Sequence, residues 1–502
     1  MALSSFTEHS HSRLSCFADP AYHQALHHLI NLMRKQPWTR SDVDDRAGDY
    51  VCGSMHDAEL VAGGRTDRRA DRKTDRRADR RADRRTDRKT DRKTADAAYA
   101  TRGIFASAPG RIELAGNHVD HQGGKTISAA FDKRCYALAR LNNTSLIRTA
   151  FSGFGSGEID LSDETWDQPR EDEKETSVGL VRGMVAGCAH RGCKVSGFDL
   201  VTYSDIPVGC GVSSSAAFEV CVGGCLSALF DSTGDHAIEE VDSPTFLHQC
   251  MLDPSVIACD AVEAEQKYFG KPCGAQDQTA SAYGAVLCLD FQSDPPRVQQ
   301  LPYPLESAGY VACLIDSQCN HALFTSDFAA IPEEMNEVAH YFGAARLHEV
   351  NEKAFLAELP AIRAQVGDRP VLRALHYYNE VRRVDKQAQA LRSHDVHDFL
   401  QNVLYSGASS AQYLQNVELP KSDKQTLLII MALCDALLEG RGAWRIHGGG
   451  FGGSVIAFVP NDEVDTFRAA MACALGFDQE DESACMVVHV GGSGVEAFAV
   501  SL

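Results

Sequence analysis

The residues best suited to chemistry lie in one short stretch, Pro207-Val-Gly-Cys-Gly-Val-Ser-Ser-Ser-Ala-Ala217, between an extended run, Phe198-Asp-Leu-Val-Thr-Tyr203, and a run with helical spacing. Pro207 ends the extended run, Gly209 and Gly211 admit backbone conformations closed to other residues, and the hydroxyls of Ser213, Ser214 and Ser215 fall where a helix begins. Unpaired N–H groups at a helix start, with the helix dipole behind them, favour a phosphate, and a neighbouring serine hydroxyl reaches a divalent cation. The stretch predicts a nucleotide site, although an N-capped helix after a tight turn has the same composition with no ligand. The commoner phosphate loop, GxxxxGK[ST], is absent, so such a site is of another kind.

Two further stretches concentrate polar groups between glycines. In Ala108-Pro-Gly-Arg-Ile-Glu-Leu-Ala-Gly-Asn-His-Val-Asp-His-Gln-Gly-Gly124, read as a loop between strands, the mix of carboxylate, imidazole and amide suits a ligand with several hydroxyls, such as a hexose. The alternative is a polar turn whose Asp and His are satisfied by local backbone. In Glu265-Gln-Lys-Tyr-Phe-Gly-Lys-Pro-Cys-Gly-Ala-Gln-Asp-Gln278, Asp277 taken by itself reads as a helix-terminal carboxylate.

The elements that must position these groups follow from periodicity. Strands are expected at Ile104–Ser107, Thr126–Ala130, Cys135–Leu141 and Leu146–Phe151, with a helix over Val178–Ala189. Beyond the serines, Ala217, Val220, Cys221, Gly224, Cys225 and Ala228 are small and helically spaced, which lets a helix approach a sheet closely. A helix over Pro254–Phe269, strands at Ala285–Phe291 and Tyr310–Ile315, helical runs through much of 332–440, and strands around Gly442–Ile446, Ser454–Val459, Met486–Val490 and Val495–Val500 complete an α+β pattern. Near the start, Tyr22–Met33 reads as a helix.

Composition narrows the class. A chain of 502 residues exceeds one compact core, so two domains are expected, and 44% apolar with 24% charged residues is ordinary for a globular enzyme. A net charge of −20 argues against a nucleic-acid surface. The 17 cysteines lie scattered in apolar runs without a CxxC pair, as small buried hydrophobes do in a reducing compartment. No secretory segment or bilayer-length apolar run is present, and a cytoplasmic location without a membrane partner is expected. The anomaly is Thr66–Thr94, where Asp-Arg-Arg/Lys-Ala/Thr repeats seven times; Arg65–Lys93 holds 15 basic against 7 acidic residues and no apolar face. It reads as a low-complexity insertion, disordered or a solvated helix, ahead of the catalytic fold.

The serine stretch resembles the PxxxGxxSSSA phosphate loop of the GHMP kinases, a superfamily of small-molecule kinases. Residues 108–124 resemble the galactokinase signature PGRxNLxGEHTDYNGG, with Arg111, Gly116, His118, Asp120, Gly123 and Gly124 in register and with Asn117, Val119, His121 and Gln122 departing from Glu, Thr, Tyr and Asn. Residues 265–278 resemble the segment ending PCGIMDQ, with Gln276 in place of Met; Asp316–Phe328 resembles DTGxxHxLxxxxY, with Phe328 in place of Tyr; and Arg445–Ser454 resembles the third, glycine-rich motif of the superfamily. The likeness runs from about residue 103 to the C-terminus.

The resemblance implies a two-lobed α+β fold, with an N-lobe holding a mixed sheet, 95–305, a C-lobe holding a ferredoxin-like sheet, 306–502, and the active site between the lobes; it does not cover the N-terminal segment, 1–64, or the repeat, 65–94, that precede them. It implies ATP-dependent phosphorylation of galactose at its anomeric hydroxyl by a monomer. Asp277 and Arg111 are then catalytic; Asn117, His118, Asp120, Gly274 and Phe328 face the sugar; Gly209, Gly211, Ser213, Ser214 and Ser215 cradle ATP; and Ser214 with Glu265 holds Mg²⁺. The departures at Asn117 and Phe328 keep another sugar, such as N-acetylgalactosamine or arabinose, as an alternative. A non-catalytic sugar and ATP sensor is a further one, weakened by the intact Ser213–Ala216.

Overall fold

The computed structural model describes residues 20–36, 102–207, 209–230, 237–240, 246–319, 324–420, 422–478 and 484–502. The repeat at 66–94 and the N-terminal segment apart from its helix lie outside them. That helix, Pro20–Lys35 (α1), opens on a proline, whose fixed φ suits a first helical position, and buries Tyr22, Leu26, Leu29 and Met33 at helical spacing. The described residues 20–33 and 102–502 belong to one compact unit.

Two long neighbouring strands, Arg102–Ala115 (β1) and Lys125–Leu141 (β2), carry the architecture. Nearly every residue on them is buried, as expected of strands packed on both faces. The chain then runs through Leu146–Phe151 (β3), Gly155–Asp160 (β4), Ser177–His190 (α2), Phe198–Ser204 (β5), Ser214–Phe230 (α3), Ala237–Glu240 (β6), Phe246–Cys250 (β7), Pro254–Glu263 (α4), Gln276–Tyr283 (α5), Val286–Asp290 (β8) and Arg297–Leu301 (β9). Thr176 caps α2 and Asp253 caps α4 through side-chain oxygens that accept first-turn amides. The small residues of α3 let it lie close on the sheet: a Cβ at Gly224 would fall 2.8 Å from a methyl of Val495.

A second sheet follows. Tyr310–Asp316 (β10) leads into Thr325–Tyr341 (α6), Glu352–Ala357 (α7), Leu359–Val366 (α8), Asp368–Ser393 (α9), Val396–Ser409 (α10) and Thr426–Leu438 (α11). Ala443–His447 (β11), Ser454–Pro460 (β12), Val464–Leu475 (α12), Cys485–Val488 (β13) and Glu496–Ser501 (β14) close the chain. Strands β11-β12-β10-β13 form an antiparallel sheet covered by α11 and α12, whose Leu427, Ile430, Cys434, Phe467 and Met471 share a core with Val455, Ala457 and Val459. Helices α6 to α9 build a separate apolar core around Ile331, Met335, Phe355, Val371 and Tyr377, and Val119 and Phe451 insert into it.

The first sheet has ten strands, with β4-β3-β5-β2-β1-β14-β7-β6 in line and β8 and β9 branching from β2. The last strand of the chain thus returns to the first sheet, antiparallel to β1. Tyr22 marks that junction. Its hydroxyl donates to Glu496 Oε2 at 2.6 Å and meets Ser107 Oγ at 2.9 Å, while its ring packs edge-on against Phe105.

Two readings of the sequence change here. Thr126–Ala130 and Cys135–Leu141 are parts of one strand, β2. The expected loop at 108–124 is extended as far as Ala115, because Ile112 and Leu114 alternate with Arg111 and Glu113 and pack into the core. Register shifts between Pro109 and Arg111 and between Glu113 and Ala115 bend the strand where it meets the site.

Candidate active site

Arg111 and Glu113, two residues apart on β1, stand on one face of the strand and anchor the two sides of the site. Arg111 meets Asp277, which the first turn of α5 presents, a position where the helix dipole favours a carboxylate. Arg111 Nε donates to Asp277 Oδ1 at 2.8 Å and Nη2 donates to the same oxygen, while Ser213 Oγ donates to Oδ2. Burial pushes the Asp277 carboxyl up, but the Arg111 charge and the Ser213 hydroxyl outweigh it, and the group stands below its ordinary value. About a third of the Asp277 side chain, 34%, remains open. Arg111 Nη1 is buried without a hydrogen-bond partner, a donor left for a ligand oxygen.

The serine loop runs alongside. Gly209 and Gly211 take φ values of 88° and 72°, and Ser213 itself sits at 62°, in the left-handed region that a non-glycine residue occupies only under constraint. The constraint is visible: the Arg111 amide donates to Val212 O at 3.1 Å, Ser454 Oγ donates to Cys210 O at 2.9 Å, and Ser213 O accepts the Ala217 amide at 3.0 Å, opening α3. The first-turn amides of α3 have no intrahelical acceptor, which is what an anion cradle requires. Ser215 Oγ donates to Glu265 Oε1 at 3.1 Å, an oxygen that also accepts from Lys271 Nζ at 3.0 Å; Gln278 Nε2 donates to Glu265 Oε2 at 2.6 Å. Of the three hydroxyls, that of Ser213 therefore serves Asp277 and that of Ser215 serves Glu265.

Beyond β1, Asn117 is 0% exposed and turned into the protein. Its Nδ2 donates to Glu113 Oε1 at 3.1 Å and to Gly448 O at 2.5 Å, and its Oδ1 accepts from Asn416 Nδ2 at 2.9 Å and Ser410 Oγ at 3.3 Å. His376 Nε2 donates to the Asn117 carbonyl at 2.9 Å. His118 follows in a left-handed conformation, φ 56°, with Nε2 donating to Gly449 O at 2.8 Å and its ring 5.2 Å from that of Phe328. Burial lowers the His118 pKa to about 4, so the imidazole is neutral. Asp120 opens a short turn closed by Gly123, and a Cβ on Gly274 would lie only 2.8 Å from Asp120 Oδ2. Burial, reinforced by the charges of Glu113 and Asp277, brings the Asp120 carboxyl up to about 6. Phe328, 44% exposed, forms a wall against His118 and Gly449.

The structure thus gathers Arg111, Asp277 and Ser213 on one side, Ser215 and Glu265 beside them, and His118, Asp120, Gly274 and Phe328 on the other. The third glycine-rich stretch closes the gap between the sides, since Gly448 faces the Gly211 carbonyl and Gly449 the Phe328 ring. Sequence reasoning passed over Glu113, Arg445, His447 and Glu380. Glu113 pairs with the fully buried Arg445, its amide donates to His447 Nε2 at 3.0 Å, and Glu380 Oε1 accepts the Gly116 amide at 3.3 Å. The signal for Glu113 was present: a carboxylate on an otherwise apolar strand, where the signature has Asn, four residues before an Asn where the signature has Glu.

Known proteins resemble this chain in sequence and fold. The chain matches the galactokinase galactose-binding signature over residues 96–141 and the GHMP kinases N terminal domain over residues 180–285. It is 27% identical to the galactokinase of Actinobacillus pleuropneumoniae over 370 residues, 73% of this chain and 87% of that one, and 27% identical to that of Glaesserella parasuis serovar 5 (strain SH0165) over 373 residues, 73% and 87% of the two chains. The fold is that of Lactococcus lactis galactokinase complexed with galactose, with a TM-score of 0.63 at 24% identity over 78% of this chain and 94% of that one. Among the described residues, no helix is long and apolar enough to cross a membrane. In its matched domains and its curated relatives the chain is similar to the galactokinases of the GHMP kinase superfamily, and it has the fold of one of them.

Proposed function

We propose that the protein transfers the γ-phosphoryl group of ATP to the anomeric hydroxyl of α-D-galactose, giving galactose 1-phosphate and ADP. The observation that carries the reading is the three-way contact of Asp277 with Arg111 and Ser213, where the polar turn after β1 meets the serine loop. Phosphoryl transfer needs little covalent help, so positioning and charge stabilisation dominate. Asp277, held ionised, accepts a hydrogen bond from the attacking hydroxyl and orients it. Its lowered pKa makes it a weak base, which suits a loose transition state in which the hydroxyl proton leaves late. Arg111 stabilises charge on the moving phosphoryl group through its unpartnered Nη1. The α3 amides and Gly209–Gly211 cradle the nucleotide phosphates, and His118, Asp120, Gly274 and Phe328 line the sugar side, with Asn117 behind them.

The oxygens of Ser215 and Glu265 converge, with Ser214 adjacent, a donor set that suits Mg²⁺. Lys271 shares Glu265 Oε1, so a cation there displaces an ammonium. When bound, Mg²⁺ neutralises charge on the nucleotide phosphates. The unusual Phe328 and Asn117 favour a second reading, a kinase of the same mechanism for another sugar. ADP release from Mg·ATP with galactose, N-acetylgalactosamine, glucose and arabinose as acceptors separates the two: highest kcat/KM on galactose supports the first, and highest kcat/KM on another sugar replaces it with the second.

A further inference from the structure

Glu113 is 5% exposed, so it does not reach a ligand, yet both of its carboxylate oxygens are occupied. Oε1 accepts Asn117 Nδ2 at 3.1 Å and the Arg445 guanidinium; Oε2 accepts Gln276 Nε2 at 3.1 Å. Three separate parts of the site converge on this one group: the turn after β1, strand β11, and the residue that precedes Asp277 on α5. Chemistry fixes which member of the 113/117 pair carries the charge. Asn117 donates one N–H to Glu113 and the other to Gly448 O, so a carboxylate at 117 would face two acceptors. At 113 three donors meet, and only a carboxylate accepts them all.

Resting on the function proposed above, we infer that Glu113 is a positioning residue for the transfer, tying the sugar side to the helix that bears Asp277 through Asn117 and Gln276. A hydroxyl held by His118 and Asp120 then stands in a fixed relation to Asp277, and a small misplacement is costly in phosphoryl transfer.

The full-length chain tests this with Glu113→Gln, Gln276→Met and the exchange variant Glu113→Asn/Asn117→Glu, read by kcat, by KM for each substrate, by calorimetric sugar binding and by thermal melts. Glu113→Gln turns an N–H toward converging donors and is expected to lower kcat/KM for the sugar about 10- to 100-fold, with KM for ATP within about twofold. Because it removes a charge beside Asp120, it also moves the acid limb of sugar binding to lower pH. Gln276→Met, a milder change should Glu113→Gln fail to fold, lowers kcat about threefold or more with little effect on the melt. Asn117→Glu alone loses at least about 100-fold, and the exchange variant recovers at least about tenfold of that loss. Parental constants in Glu113→Gln or Gln276→Met overturn the inference, as does an exchange variant no better than Asn117→Glu, folded or not. A parent chain that turns over no sugar counts instead against the proposed function, and the calorimetric arm still reads whether Glu113 orders the sugar side.

Discussion

The two sides of the active site spend their polar groups differently. On the phosphate side, functional atoms stay available: Arg111 Nη1 is unpartnered, a third of Asp277 is open, and the first amides of α3 have no intrahelical acceptor. On the sugar side they are largely consumed by the protein. Asn117 makes all its bonds inward, His118 Nε2 is given to Gly449 O, and Gln122 spans Asn336 and the Leu347 amide. In the proposed transfer the phosphate side stabilises charge that develops during reaction, a task that calls for unspent donors. The sugar side works by shape, its bonds holding a turn in place for a few exposed groups, and shape tolerates exchanges of residue type where charge stabilisation does not.

The sharpest way to break that comparison is Asp277→Asn. The amide keeps an acceptor for Arg111 but can neither take a proton nor hold a negative charge, so kcat is expected to fall about 10²- to 10⁴-fold while calorimetric sugar affinity stays measurable. A variant with near-parental kcat would remove Asp277 from the reaction and with it the distinction between the two sides.

The phosphate side was largely legible in the sequence because its chemistry is local. The serines, glycines and Pro207 specify a turn and a helix start within eleven residues, and Asp277 stands at the start of its own short helix. The sugar side is assembled from residues more than 300 positions apart, such as Glu113 with Arg445 and Asn117 with Gly448, and no local periodicity reports such pairs. Reading 108–124 as one loop hid the fact that Glu113 stands on a strand beside Arg111, facing inward. In the same way, Val119 in place of a hydroxyl residue made no local sense, whereas in the fold it fills the core of α6 to α9.

Phe328 sharpens the comparison from the side of shape. A half-exposed ring against His118 offers a wall without a hydroxyl. Phe328→Tyr adds a donor and acceptor at its edge and is expected to change the ratio of kcat/KM between galactose and its competitors by about 1–3 kcal/mol, roughly 5- to 150-fold, through KM more than kcat. An equal effect on all sugars would mean that the ring does not face the hydroxyls that distinguish them.

Asp120 is where the two sides overlap, since it is half-buried in the turn of the sugar side yet feels the charges of Glu113 and Asp277. With its carboxyl brought up to about 6, it is ionised at neutral pH, the form that in the proposed function accepts hydrogen bonds from sugar hydroxyls, and it loses that form as pH falls through 6. KM for the sugar is therefore expected to be flat above pH 7 and to rise up to about tenfold per unit below 6, and Asp120→Asn should raise KM and remove the break. Stability runs the other way. A carboxyl with its folded pKa above its ordinary value holds a proton that the unfolded chain has released, so its contribution favours folding at low pH and is lost as pH rises through 6. Asp120→Asn should then melt higher than the parent at pH 7 and lose that advantage near pH 4. Opposite signs for affinity and Tm at neutral pH identify a group held charged for its ligand at a cost to the fold. If Tm falls together with affinity, Asp120 is a strut of the turn, and the sugar side is passive throughout.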